Sequence, residues 1–203
     1  MAIKFTISNI LQLFSTIAPL LLGFFLVMAS IFNQNVKGLI YLAGVLIASI
    51  INILLMNQLK VPFEIDKAAS VCSILEVPYM SAYNTPSPSA VFIAFTLIYL
   101  VIPMSVNKQM NYGILITILC LLGLDIVTKA IKKCTSWVGG ILGMVVGMVL
   151  GACWYAIFHI AGLDSLLYFD EVSSNNVICS KPSSQTFKCS VYKNGELISS
   201  NIA

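Results

Sequence analysis

The chain has 203 residues, 59% of them hydrophobic and only 9% charged, with a mean hydropathy of +0.94 and a net charge of +3. A soluble domain carries about a quarter charged residues, so this composition argues against a water-soluble globular fold and for lipid as the solvent. A positive charge this small and this dispersed gives no basis for nucleic-acid binding.

In chain order, the first apolar stretch covers residues 10–32. Its length, weak positive flank and lack of a small-residue cleavage site predict a retained span and not a signal peptide. The second covers residues 38–59, again close to the roughly 20 helical residues that cross about 30 Å of hydrocarbon. A long polar loop, 60–89, follows, carrying Lys60, Glu64, Asp66, Lys67 and Glu76 and ending in the run NTPSPS at 84–89. A loop of this length beside a bundle is a functional candidate.

Three further apolar stretches, 90–106, 112–131 and 137–162, complete a predicted bundle of about five transmembrane helices over residues 1–162. The fourth carries Asp125 one turn before Lys129, a spacing that predicts an ion pair within the span. The fifth repeats glycine on one face, at Gly139, Gly143, Gly147 and Gly151. Small residues at this spacing let a second helix approach closely, and packing inside the bundle is favoured over a dimer contact.

Residues 163–203 form a polar extramembrane tail. Phe187, Cys189 and Val191 alternate with polar residues, and Asn194-Gly195 is the favoured pair for a tight hairpin turn. The expected fold class is therefore an all-α polytopic membrane protein with a small β-hairpin tail. Cys179 and Cys189 are candidates for a tail disulfide if that tail meets an oxidising compartment. Cys72, Cys120, Cys134 and Cys153 form no CxxC pair, so neither a metal nor a redox site is expected. No cofactor is expected either.

Lys4, Lys60, Lys67, Lys129, Lys132 and Lys133 fall at one side of such a bundle, and Lys37 and Lys108 at the other. Basic residues near span ends mark the cytosolic face, which predicts a cytosolic amino terminus and a tail on the opposite side. Every basic residue is lysine, although arginine offers the planar fork that suits phosphate. An AT-rich genome accounts for that usage.

The polar segments of the lysine-bearing side show an ordered set of motifs. Lys60 and Lys67 are separated by six residues, with Ala68 after them. Pro86-Ser87-Pro88-Ser89 leads into a helix. Thr128-Lys129 is followed after five residues by Thr135 and after three more by Gly139. In order and spacing these resemble the three motifs of the type 2 phosphatidic acid phosphatase family, K-x6-RP, PSGH and SR-x5-H-x3-D. The resemblance covers residues 38–161. It implies a helical membrane fold whose phosphate-holding positions fall at Lys60, Lys67, Ser87 and Lys129.

The resemblance also implies that catalysis is lost. The family's leaving-group histidine, nucleophilic histidine and orienting aspartate fall at Ser89, Thr135 and Gly139. Nucleophilic and acid–base roles need a group that titrates near working pH, which hydroxyls unaided do not. The one histidine, His159, lies about 30 Å from Gly139 along a helix and is read as an interfacial residue. The leading expectation is thus a catalytically degenerate phosphatase-like protein with a structural or lipid-headgroup-binding role. An active phosphatase with an atypical site and a small transporter or channel component stand as alternatives. The lysine usage and compact size look like membrane proteins of large DNA viruses, which implies an inner virion membrane. Expected partners are membrane lipids and a protein that meets the tail.

Overall fold

The computed structural model describes residues 7–61, 85–170, 188–193 and 196–202. Lys67 and Cys179 lie outside these residues, as do the side chain of Cys189 and the Asn194-Gly195 turn. Five helices follow one another: α1 (Ile7–Phe32), α2 (Lys37–Leu59), α3 (Pro88–Val106), α4 (Tyr112–Ile131) and α5 (Trp137–Ile160). All five are long and apolar enough to cross a membrane, as an integral multi-pass protein requires.

Their boundaries have local causes. Asn111 caps α4 by accepting from the Ile114 N–H at 3.2 Å, and Ser136 caps α5 by accepting from the Gly139 N–H at 2.9 Å. Pro88 opens α3, where its missing N–H and fixed φ are harmless. Lys60 ends α2 in the left-handed region, at φ 49°, with its N–H donating to the Met56 carbonyl. Connections of only a few residues join α1 to α2, α3 to α4 and α4 to α5, which makes these neighbours antiparallel.

The most buried helix is α3, which contacts each of the other four. Its closest companion is α5, and the glycine face of α5 explains why. A Cβ on Gly143 would lie 2.8 Å from the Ser87 carbonyl oxygen, one on Gly147 2.3 Å from that of Val91, and one on Gly151 2.7 Å from that of Phe95. Every fourth residue of one helix thus meets every fourth of the other, backbone to backbone. Beyond this contact the core is aromatic. Tyr41, Phe95 and Tyr99 pack together, and the Tyr41 hydroxyl is 2.7 Å from Thr96 Oγ1. Large apolar side chains of α1, α2, α4 and α5 point outward, including Phe25, Leu54, Ile116 and Val149. In a bilayer these face lipid.

The bundle unit runs to Val172, past the boundary expected at Gly162. The difference has a physical cause: the chain folds back after α5 through a turn at Asp164–Leu166 and closes the end where α1 finishes and α2 begins. Asp170 pairs with Lys37, the Phe169 carbonyl accepts from Asn107 at 2.6 Å, and the Tyr168 hydroxyl donates to the Leu26 carbonyl at 2.6 Å. Burial pushes the Tyr168 phenol up from its ordinary value, which keeps it a neutral donor. His159 sits at this end too, 2.8 Å from Asp164 and stacked on Tyr155.

The tail, Ser173–Ala203, is a separate unit. Within it β1 (Lys188–Lys193) and β2 (Glu196–Ile202) run antiparallel, with Lys188 opposite Ile202 and an irregularity at Val191/Tyr192.

Candidate functional site

The opposite end of the bundle gathers the start of α3, the end of α4 and the start of α5. Asp125 projects there from α4, roughly 9 Å inside the Ile131 end at 1.5 Å per residue. It is 1% exposed. A buried carboxylate needs a counter-charge and hydrogen bonds, and three helices supply them. Lys129 Nζ, one turn on, lies 2.9 Å from Asp125 Oδ1. Ser15 of α1 donates to the same oxygen at 3.0 Å, and Ser89 of α3 donates to Oδ2 at 2.6 Å. Lys129 also donates to Ser89 Oγ, and Thr128 Oγ1 lies 3.1 Å from Ser15 Oγ. The result is a charge-neutral knot tying α1, α3 and α4.

A ring of hydroxyls borders this knot. Ser87, fully buried, has its Oγ 3.4 Å from that of Ser89, and its N–H donates to the Gly139 carbonyl at 3.0 Å. Gly139 has no Cβ, and a Cβ there would meet Thr135 Oγ1 and Thr85 Oγ1 at 2.8 Å and Ser136 Oγ at 3.1 Å. Thr85 and Thr135 are themselves buried. On α2, Asn52 is buried with its Nδ2 3.4 Å from the Pro86 carbonyl, while its Oδ1 has no hydrogen-bond partner among the described residues. The first turns of α3 and α5 open at this same end, and helix N-termini favour negative charge.

Of the positions singled out in the sequence, Ser87, Ser89, Lys129, Thr135 and Gly139 are therefore brought together. Lys60 stands exposed at the end of α2, and Lys67 lies outside the described residues. Gly143, Gly147 and Gly151 lead away from the cluster along α3. His159 is at the other end of α5, far from the hydroxyls of this cluster.

No protein-family model, curated protein or solved structure matches this chain.

Sequence reasoning missed Ser15 and did not connect Thr85 or Asn52 with this cluster. Ser15 and Asn52 are single small polar residues within apolar stretches and Thr85 lies just before one, and only a partner on another helix gives them meaning. Sequence reasoning also missed that Cys134 is disulfide-bonded, while Cys120 and Cys153 are free. Among the described residues no group of His, Cys, Asp and Glu has the makings of a metal site. The donors that do converge are hydroxyls and one ammonium, a set that holds oxyanions by charge-assisted hydrogen bonds.

Proposed function

We propose that this chain is a non-catalytic integral membrane protein with a degenerate phosphatidic acid phosphatase-like arrangement, structural in role and engaging lipid headgroups at its lysine-bearing end. One observation carries the reading. Ser87, Ser89, Lys129, Thr135 and Gly139, which match two separate motifs, meet at one end of the bundle. Hydroxyls and a glycine occupy the places where the chemistry would need imidazoles and a carboxylate. The Lys129 charge is already balanced by Asp125, which suits a structural knot better than a turnover site. Exposed Lys60 and Lys133 add an attraction for anionic headgroups of about 1 kcal/mol each near a charged leaflet.

The same reading orients the chain with its amino terminus cytosolic and its tail, an independent hairpin, on the other side for a protein partner. Residence in an inner virion membrane belongs to it as well.

A second reading has one observation behind it. Ser89 Oγ sits between the Asp125 carboxylate and the Lys129 ammonium, the outline of an activated nucleophile, so an atypical lipid phosphatase remains an alternative. The transporter reading has no observation of its own behind it: beyond the cluster the described core holds the Tyr41–Thr96 hydroxyl pair and Tyr99 among apolar side chains.

The deciding experiment is phosphate release from phosphatidic acid by the purified protein in detergent, with lipid binding measured beside it. The expected result is no release, with salt-sensitive binding weakened by Lys60→Ala. Release abolished in Ser89→Ala would establish the second reading instead. Neither release nor binding would leave the structural role alone.

A further inference from the structure

Asp125 is the one charged side chain that is fully buried among the described residues, and its surroundings are those of a bound anion. An ammonium and two hydroxyls converge on its two oxygens from α1, α3 and α4. Nothing in that donor set requires a carboxylate of the same chain. An ammonium with hydroxyls beside two helix N-termini serves a phosphate group equally well.

We propose that this cluster is a seat for a phosphate-type oxyanion which Asp125 itself fills, so that an outside phosphate enters only by displacing the Asp125 carboxylate. The proposal rests on the headgroup reading above and adds the regulation of that site. Two details beyond Asp125 support it. The absence of a Cβ at Gly139 lets the Thr85, Thr135 and Ser136 hydroxyls close in next to Ser87, so further hydroxyls lie beside the cluster. Asn52, whose amide nitrogen faces Pro86 one residue from Ser87, keeps a buried acceptor without a partner among the described residues. An acceptor there suits the protonated oxygen of a phosphate monoester.

The electrostatics set the direction of control. With Asp125 ionised, the Lys129 charge is cancelled at 2.9 Å, and an arriving anion meets a neutral cluster. Asp125→Asn keeps the shape and removes the competitor. The ammonium, only 15% exposed, is then left without a counter-charge, a costly state that an anion relieves. Ligands that bind only the folded state raise its stability by mass action.

The test is thermal unfolding of the full chain in detergent, with inorganic phosphate, with detergent micelles containing phosphatidic acid, and with chloride at matched ionic strength. For wild type, inorganic phosphate should not shift Tm beyond the chloride control, and any shift with phosphatidic acid should be lost in Lys60→Ala. For Asp125→Asn, Tm should start lower and rise by about 5 °C or more at saturating phosphate. A response to inorganic phosphate identifies a seat open to free anions, and a response to phosphatidic acid alone identifies one reached from the bilayer. Ser15→Ala, which loosens Asp125 while keeping both charges, should give a smaller gain of the same sign. The double variant Asp125→Leu/Lys129→Met should give none. Folded Asp125→Asn and Ser15→Ala proteins that respond to neither source would overturn the proposal, as would a wild-type shift as large as that of Asp125→Asn. The headgroup reading fails separately, through phosphate release or absent lipid binding by wild type.

Discussion

Ser89 Oγ donates to Asp125 and accepts from Lys129, and that single hydroxyl shows how finely the buried charges are balanced. Truncating one member of a buried pair leaves the other without compensation and costs about 3–5 kcal/mol, whereas replacing both by apolar groups is often close to neutral. Lys129→Met alone is therefore expected to destabilise the bundle severely. Asp125→Leu combined with Lys129→Met should recover most of the loss. Unfolding of the two variants in detergent, compared with wild type and Asp125→Leu, closes the cycle. Additive losses would show that the pair is not coupled. Ser15→Ala removes one neutral donor from a carboxylate that keeps two others, so its cost should be smaller, about 1–2 kcal/mol.

At the scale of elements, the contact of α3 with α5 depends on glycine in a way that the rest of the bundle does not. Gly147→Ala would bring a Cβ within 2.3 Å of the Val91 carbonyl oxygen. Backbone cannot swing aside as a side chain does, so the helices must part, at about 1–3 kcal/mol. Gly123 of α4 makes the opposite case, because a Cβ there meets nothing within 4 Å. Gly123→Ala should stabilise the helix by about 0.5–1 kcal/mol, the propensity difference alone. The same chemical change thus carries opposite signs at the two positions. Thermal unfolding of both variants in one detergent checks this, and a Gly147→Ala protein as stable as wild type would mean that α3 and α5 pack less closely than the geometry requires.

For the whole molecule, five spans among the described residues would put the two termini on opposite faces of a membrane, the arrangement proposed above. Protease protection in sealed vesicles, with a tag at either end, is expected to protect only one tag, the amino-terminal one lying on the cytosolic side. The Cys134 bond sets a condition on that orientation. Cytosolic thiols are generally kept reduced, yet Cys134 sits in the α4–α5 connection beside Lys132 and Lys133. An amino terminus found outside would show that the disulfide, and not the lysine bias, marks the direction of insertion. Alkylation of the denatured chain without reductant should label Cys120 and Cys153, which are free, and spare Cys134. Labelling of all three would remove the condition.

The spans were legible in the sequence because bilayer thickness fixes their length, and apolar runs of that length announce themselves. The Asp125–Lys129 pair was legible for a similar reason: its two members are one helical turn apart, and local spacing decides which side chains meet. Gly143, Gly147 and Gly151 were readable as a close-packing face, but the sequence did not name α3 as the helix they meet. What the sequence could not reach was every contact between residues far apart in the chain. Ser15 and Asp125 lie on the first and fourth spans with two spans between them, and neither residue carries a sign of the other. The fold-back of residues 161–170 was hidden likewise, since its bonds run from Tyr168, Phe169 and Asp170 to α1, the α3–α4 turn and α2. By itself, then, the sequence determined the solvent, the number of spans and the pairing of groups one turn apart, all of which depend on composition and local period. Which helix stands at the centre, and which hydroxyls surround Asp125, only the tertiary structure decided, because both follow from how five helices of nearly equal hydrophobicity pack against one another.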